Sequence, residues 1–110
     1  EKTEFYKTYH SEFLNELRKK IRHDSFLSKD KKFDHIEQLT ALIHPCYHNE
    51  TIFGIVKNTN LLEGDLIRFF RQMLDRINQV KQATNDMRLQ QILKSCQEII
   101  LNCLRDIDAV

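Results

Sequence analysis

Residues 63–82 read EGDLIRFFRQMLDRINQVKQ. Leu66, Phe69, Phe70, Met73, Ile77 and Val80, with Leu62 just upstream, fall on one broad apolar face of a helix. Ile67 and Leu74 sit seven apart on a flanking stripe. The other face is polar. Arg68, Gln72, Asp75 and Gln79 follow spacings of four, three and four, with Arg71, Arg76, Asn78 and Lys81 beside them. A long helix of this kind, dry on one side and wet on the other, must pack on further helices.

The flanking sequence supplies them. Downstream, Thr84 or Asn85 is expected to cap a fifth helix over residues 86–107. Its core stripe is Leu89, Ile92, Leu93, Cys96, Ile99, Ile100, Cys103, Leu104 and Ile107, while Lys94, Gln97, Glu98, Asn102 and Arg105 face away. The short connection predicts that helices four and five fold back as an antiparallel pair. Upstream, residues 49–57 form a short third helix with Asn49 as N-cap and Glu50 in its first turn, where a carboxylate suits the positive helix end. Ile52, Phe53, Ile55 and Val56 are its apolar positions. Pro45 ends a second helix over residues 32–43, whose stripe is Phe33, Ile36, Leu39, Leu42 and Ile43, and leaves residues 44–48 as a loop. The first helix covers residues 3–22, with Tyr6, Tyr9, Phe13, Leu17 and Ile21 inward. Residues 23–32 read as a loop with Ser28 or Asp30 as the next cap. The expected fold is all-α: an antiparallel helical bundle of about five helices in one domain, residues 1–110, with a helix-turn-helix-like element before the long fourth helix.

Composition agrees. Two Gly and one Pro in 110 residues leave few tight turns, which suits long helices and not a many-stranded sandwich. Seventeen basic and 16 acidic residues give a net charge of +1, so no global field draws in nucleic acid, and any such site must be local. Cys46, Cys96 and Cys103 are an odd set. Cys96 and Cys103, seven apart on one helix, stand roughly 10 Å from each other, too far for a bridge. All three are read as reduced thiols of an intracellular protein, its compartment unspecified. No apolar run is long enough to span a membrane and no signal peptide is visible, so no membrane partner is expected. The chain opens on Glu1 without Met, as expected of a piece of a longer polypeptide.

The run Asn58-Thr59-Asn60-Leu61-Leu62-Glu63-Gly64-Asp65-Leu66-Ile67-Arg68 resembles the segment that opens the long helix of the DSHCT domain. That domain closes the superkiller and exosome-cofactor RNA helicases. The family order is a short helix, Thr, one or two apolar residues, Glu-Gly, a small or acidic residue, two aliphatics and Arg. A helix of apolar, Arg and Gln positions follows, then a last helix ending in Arg-Asp-Ile, as at Arg105, Asp106 and Ile107. The resemblance covers residues 49–107. Residues 1–48 share only helical character with the family, and the chain stops sooner after Ile107 than members usually do. The motif also has a local rationale. Gly64 suits a close approach at the helix start, Glu63 and Asp65 favour its positive end, and Arg68 can pair with Asp65 one turn back.

The resemblance implies a role for the polar face. In the family, the long helix crosses the channel that carries single-stranded RNA and meets its bases while the motor domains step along the backbone. The matching positions are Arg68, Gln72, Asp75 and Gln79. Arg68 can stack on a base or bond a phosphate. Gln72 offers a donor and an acceptor to a base edge, and Asp75 accepts from an exocyclic amine. Where many members carry Arg or Lys, this chain has Gln72, which removes one cation. The implied partners are single-stranded RNA and helicase motor domains in the same or another chain. ATP and Mg would belong to that motor and not to these residues, whose only glycines, Gly54 and Gly64, form no phosphate-cradling loop. No catalytic motif is present.

Other readings are weaker. Without the family, the polar stripe reads as a solvated face. His44, Cys46 and His48 lack a standard zinc spacing, so no metal is expected. His10, His23 and His35 read as isolated surface residues. Residues 49–70 have a helix-turn-helix outline, but Leu66, Ile67, Phe69 and Phe70 demand burial where DNA reading needs exposure. Lys19, Lys20, Arg22, His23, Lys29, Lys31 and Lys32 form a basic end that suits phosphate contact or a solvated helix terminus. The alternative function is a helical protein-interaction module with no nucleic-acid role.

Overall fold

A computed structural model describes residues 2–23, 31–59 and 66–106. The described chain is all-α: α1 (Lys2–His23), α2 (Lys31–Ile43), a 3-10 turn (His44–Cys46), α3 (Glu50–Asn58), α4 (Leu66–Ala83) and α5 (Met87–Asp106). The expected caps Ser28 and Asp30 and the Glu63-Gly64-Asp65 turn, with its Asp65–Arg68 pair, lie outside the described residues. So do Leu61, Leu62 and Ile107, and the side chains of Ile21, Phe33 and Ile36.

One core cluster joins all five helices. α4 is its axis. Leu66, Phe69, Phe70, Met73 and Ile77 are all buried, and Phe69 and Phe70 are 0% and 1% exposed. Each such side chain contributes about 1.5–3 kcal/mol through burial. α5 presents Leu89, Leu93, Cys96, Ile100, Cys103 and Leu104 to the same core. It packs against both α2 and α4, and α3 packs against α4. From α1 come Phe13 and Leu17, with the Phe13 and Phe69 rings 6.2 Å apart. Among the described residues, the buried Thr40 and Thr59 donate their hydroxyls to Glu37 O and Ile55 O, so neither enters the core unsatisfied.

The helix ends show how local chemistry sets the boundaries. Asn49 caps α3 as expected: its Oδ1 accepts from Thr51 N at 2.9 Å and Ile52 N at 3.3 Å. The cap of α5 is not Thr84 or Asn85 but Asp86, whose Oδ1 accepts from Arg88 N and Leu89 N. Thr84 instead accepts from Asp86 N and fixes the turn before it. Pro45 does not open a plain loop. The chain tightens into the 3-10 turn, where the proline sits in the first turn and needs no N–H donor. The α4–α5 connection is residues 84–86, and Gln97 of α5 reaches across to α4. Its Nε2 donates to Asn78 Oδ1, and its Oε1 accepts from Lys81 Nζ at 3.1 Å. Gln97 therefore ties the helix pair together instead of facing away.

Substitutions on the two sides of this core should differ in sign. Gly54 lies inside α3 with open space where a Cβ would stand. Gly54→Ala should therefore raise unfolding free energy by about 0.5–1 kcal/mol. Phe69→Ala should lower it by about 3–5 kcal/mol through the cavity it leaves. Urea titration of the two variants measures both.

Candidate nucleic-acid interface

The core fixes which side of α4 meets solvent. At about 100° per residue, the buried Leu66, Phe69, Phe70, Met73 and Ile77 span an arc of roughly 100°. Arg68, Gln72, Asp75 and Gln79 fall within roughly 60° on the opposite side, and all four are exposed. Gln72, Asp75 and Gln79 share an open polar depression with Arg76 and with Asn58, the last residue of α3. Arg68 lies one turn before Gln72 on the same face.

Arg76 and Asn58 complete the depression, and the helical pattern reveals only one of them. Arg76 stands beside the stripe on the helical wheel. Asn58 reaches it only because α3 packs on α4, a tertiary fact with no local signal. Arg76 also restores a cation to a face where Gln72 carries none. The depression thus holds a guanidinium, a carboxylate and three amides. Amides offer a donor and an acceptor each, the guanidinium donates only and the carboxylate accepts only. That mixture matches the varied edges of exposed bases better than a row of phosphates, which Asp75 repels. Asn78 and Lys81, on the side of α4 toward α5, are engaged with Gln97 and belong to the helix pair.

The remaining histidines, cysteines and basic residues resolve differently. His44 is exposed and its ring lies tilted by 54° against that of His10, with centroids 4.2 Å apart, while Cys46 is half-buried against the core and His48 is exposed. Among the described residues no three His, Cys, Asp or Glu side chains gather into a metal-binding group. Cys96 is buried, and burial first, then the nearby Cys46 thiol, pushes its thiol up to about 12, so it stays protonated. Leu66, Phe69 and Phe70 are buried at the start of α4, so only the polar side of that helix, with Arg68 and Gln72, meets solvent there. Of the basic end, Lys19 pairs with Glu16 at 3.4 Å and the neighbouring Arg18 with Glu37 of α2 at 3.1 Å. Both pairs are exposed and contribute about 0.2–1 kcal/mol at most.

His10 is not an isolated surface residue. It is half-buried, its Nδ1 is buried without a hydrogen-bond partner, and its ring stands 5.2 Å from that of Tyr47. Tyr47 is 2% exposed, and its hydroxyl also lacks a partner. Tyr6, Tyr9 and Phe53 extend this aromatic cluster, with Tyr9 and Phe53 ring centroids 4.8 Å apart. The cluster joins α1 to the 3-10 turn and α3 through contacts more than thirty residues apart in sequence, which no periodicity reveals.

Burial, and then the His44 charge, hold the His10 pKa below the usual 6.5. The unfolded chain therefore binds the proton more readily than the folded one. The stabilising contribution is present above the unfolded pKa and is lost as pH falls below it. Melting temperature should drop between about pH 7 and about pH 5, and His10→Phe should flatten that part of the profile. An unchanged slope in His10→Phe would assign the loss to other groups.

A family model described as the DSHCT (NUC185) domain matches residues 2–107. The match takes in α1 and α2 as well as the motif-bearing second half. No curated protein and no solved structure matches the chain.

Proposed function

The chain belongs to the DSHCT family, the C-terminal domain of superkiller-type RNA helicases, and on that premise we propose that its α4 face guides single-stranded RNA through the motor. The chain is thus an RNA helicase-associated domain, and the proposal concerns what its exposed face does. One observation carries it. Arg68, Gln72, Asp75 and Gln79 are exposed in line on the side of α4 away from the core, and the last three open onto one polar depression.

In this reading the helix is a rail. Its buried side cannot turn without exposing Phe69 and Phe70, so the polar side chains hold a fixed direction while RNA moves past. Arg68 and Arg76 stack on bases or bond passing phosphates. Gln72, Gln79 and Asn58 exchange donor and acceptor roles with successive base edges. Asp75 accepts from exocyclic amines and keeps phosphates from settling. Contacts of this kind are individually modest and tolerant of sequence, as transport of varied RNA requires. ATP and Mg would be bound by motor domains, in the same polypeptide or a partner, that supply the stepping force. The site of action is proposed to be intracellular.

The double variant Arg68→Ala/Gln72→Ala tests the face without touching the core. Charge-assisted hydrogen bonds contribute about 1.5–3 kcal/mol, so affinity for a single-stranded RNA should fall roughly tenfold or more by fluorescence anisotropy. Circular dichroism should be unchanged. Full affinity in the folded double variant would reject the proposal.

A further inference from the structure

A second cavity, of about 280 Å³, lies between the start of α1 and the 3-10 turn, at the opposite end of α3 from the polar depression. Tyr6, Lys7, His44, Pro45, His48 and Glu50 form its walls, and Tyr47 lines it from the core side. We propose that this cavity binds one nucleotide of a single-stranded RNA, stacking its base between Tyr6 and the 3-10 turn, with Lys7 on the phosphate and Glu50 on an exocyclic amine. The proposal rests on the RNA-binding reading above and adds a site apart from the α4 face.

The wall chemistry selects this ligand. Tyr6, His44, His48 and Pro45 contribute flat or apolar ring surfaces, which suit a flat heteroaromatic base. Lys7, an exposed cation, and Glu50, an exposed carboxylate, sit on the same cavity. An aliphatic side chain would strip water from both without offering either a partner. A nucleotide engages both: its phosphate meets the ammonium, and its amine donates to the carboxylate. Glu50 would repel the phosphate, which sets the orientation.

A second observation points inward. The hydroxyl of Tyr47, a residue that lines the cavity, is buried with no hydrogen-bond partner. Most buried polar groups are satisfied, so an orphaned hydroxyl on a residue that lines the cavity marks a group that a ligand can satisfy. A hydroxyl can donate or accept, so a ring nitrogen or carbonyl at a base edge would satisfy it. Glu50 opens α3 and Asn58 closes it. Eight residues of helical rise separate the cavity from the depression by about 12 Å along the helix, so one RNA strand can occupy both.

Nucleoside monophosphates test the cavity on the intact chain by amide chemical-shift titration. AMP and CMP should shift resonances of Tyr6, His44, His48 and Glu50, and UMP, which lacks an exocyclic amine, should bind at least about fivefold more weakly. Tyr6→Ala should weaken AMP by at least about fivefold. His44→Ala, at an exposed ring, should also weaken it and serves if Tyr6→Ala does not fold. Arg68→Ala/Gln72→Ala should leave AMP binding unchanged. Shifts at α4 alone would overturn the cavity and leave the RNA-guiding face standing. Shifts at the cavity alone would support the cavity, and the face is judged separately by the RNA affinity of Arg68→Ala/Gln72→Ala. No cavity shift with AMP, CMP or UMP, or UMP binding as tightly as AMP, would overturn the proposal.

Discussion

Phe69 and Phe70 are consecutive, and both are buried in full. Neighbouring residues on a helix point about 100° apart, so one flat contact cannot cover both rings. α4 must lie in a cradle with partners on two sides. α5 and α3 pack against it, and Phe13 of α1 meets Phe69. Once both rings are seated, α4 has one rotation about its axis and one wet side. The direction of the Arg68–Gln72–Asp75–Gln79 face follows from the core.

Function then becomes a matter of what the wet side carries. A surface helix chosen for solubility alone would suffice with scattered charges. Here cation, amide, carboxylate and amide stand in line, and α3 adds Asn58 at the margin. The short α3 links two environments: the polar depression at its end and the aromatic cluster at its start, where Tyr47, His10 and His44 meet. Asn49 sets that start by capping the helix. A single side-chain cap thereby positions Glu50 at the cavity.

Much of this was legible from residues alone, for identifiable reasons. α4 and α5 carry long apolar stripes, and strong periodicity outweighs local ambiguity over such lengths. Asn49 was readable as a cap because no competing acceptor stands beside it before the helix. Thr84, Asn85 and Asp86 are three cap-competent residues in a row, and only the end of α4 decides that Asp86 takes the role. The exposed stripe was visible, but its companion Asn58 was not, because helix packing brings it there. His10 read as a surface residue because it is a lone polar side chain beside the Tyr6–Tyr9–Phe13 stripe, and the stripe does not reveal what covers its edge. Its true neighbours, His44 and Tyr47, lie on the far side of α2 in sequence.

α4 divides into a side that holds the fold and a side that we propose meets RNA. Photo-cross-linking of a 4-thiouridine-containing single-stranded RNA to the chain, followed by peptide mass spectrometry, tests it most directly. Adducts are expected on the exposed positions of α4 between Arg68 and Gln79. Adducts that spare α4, or a folded chain that gives none, would contradict it.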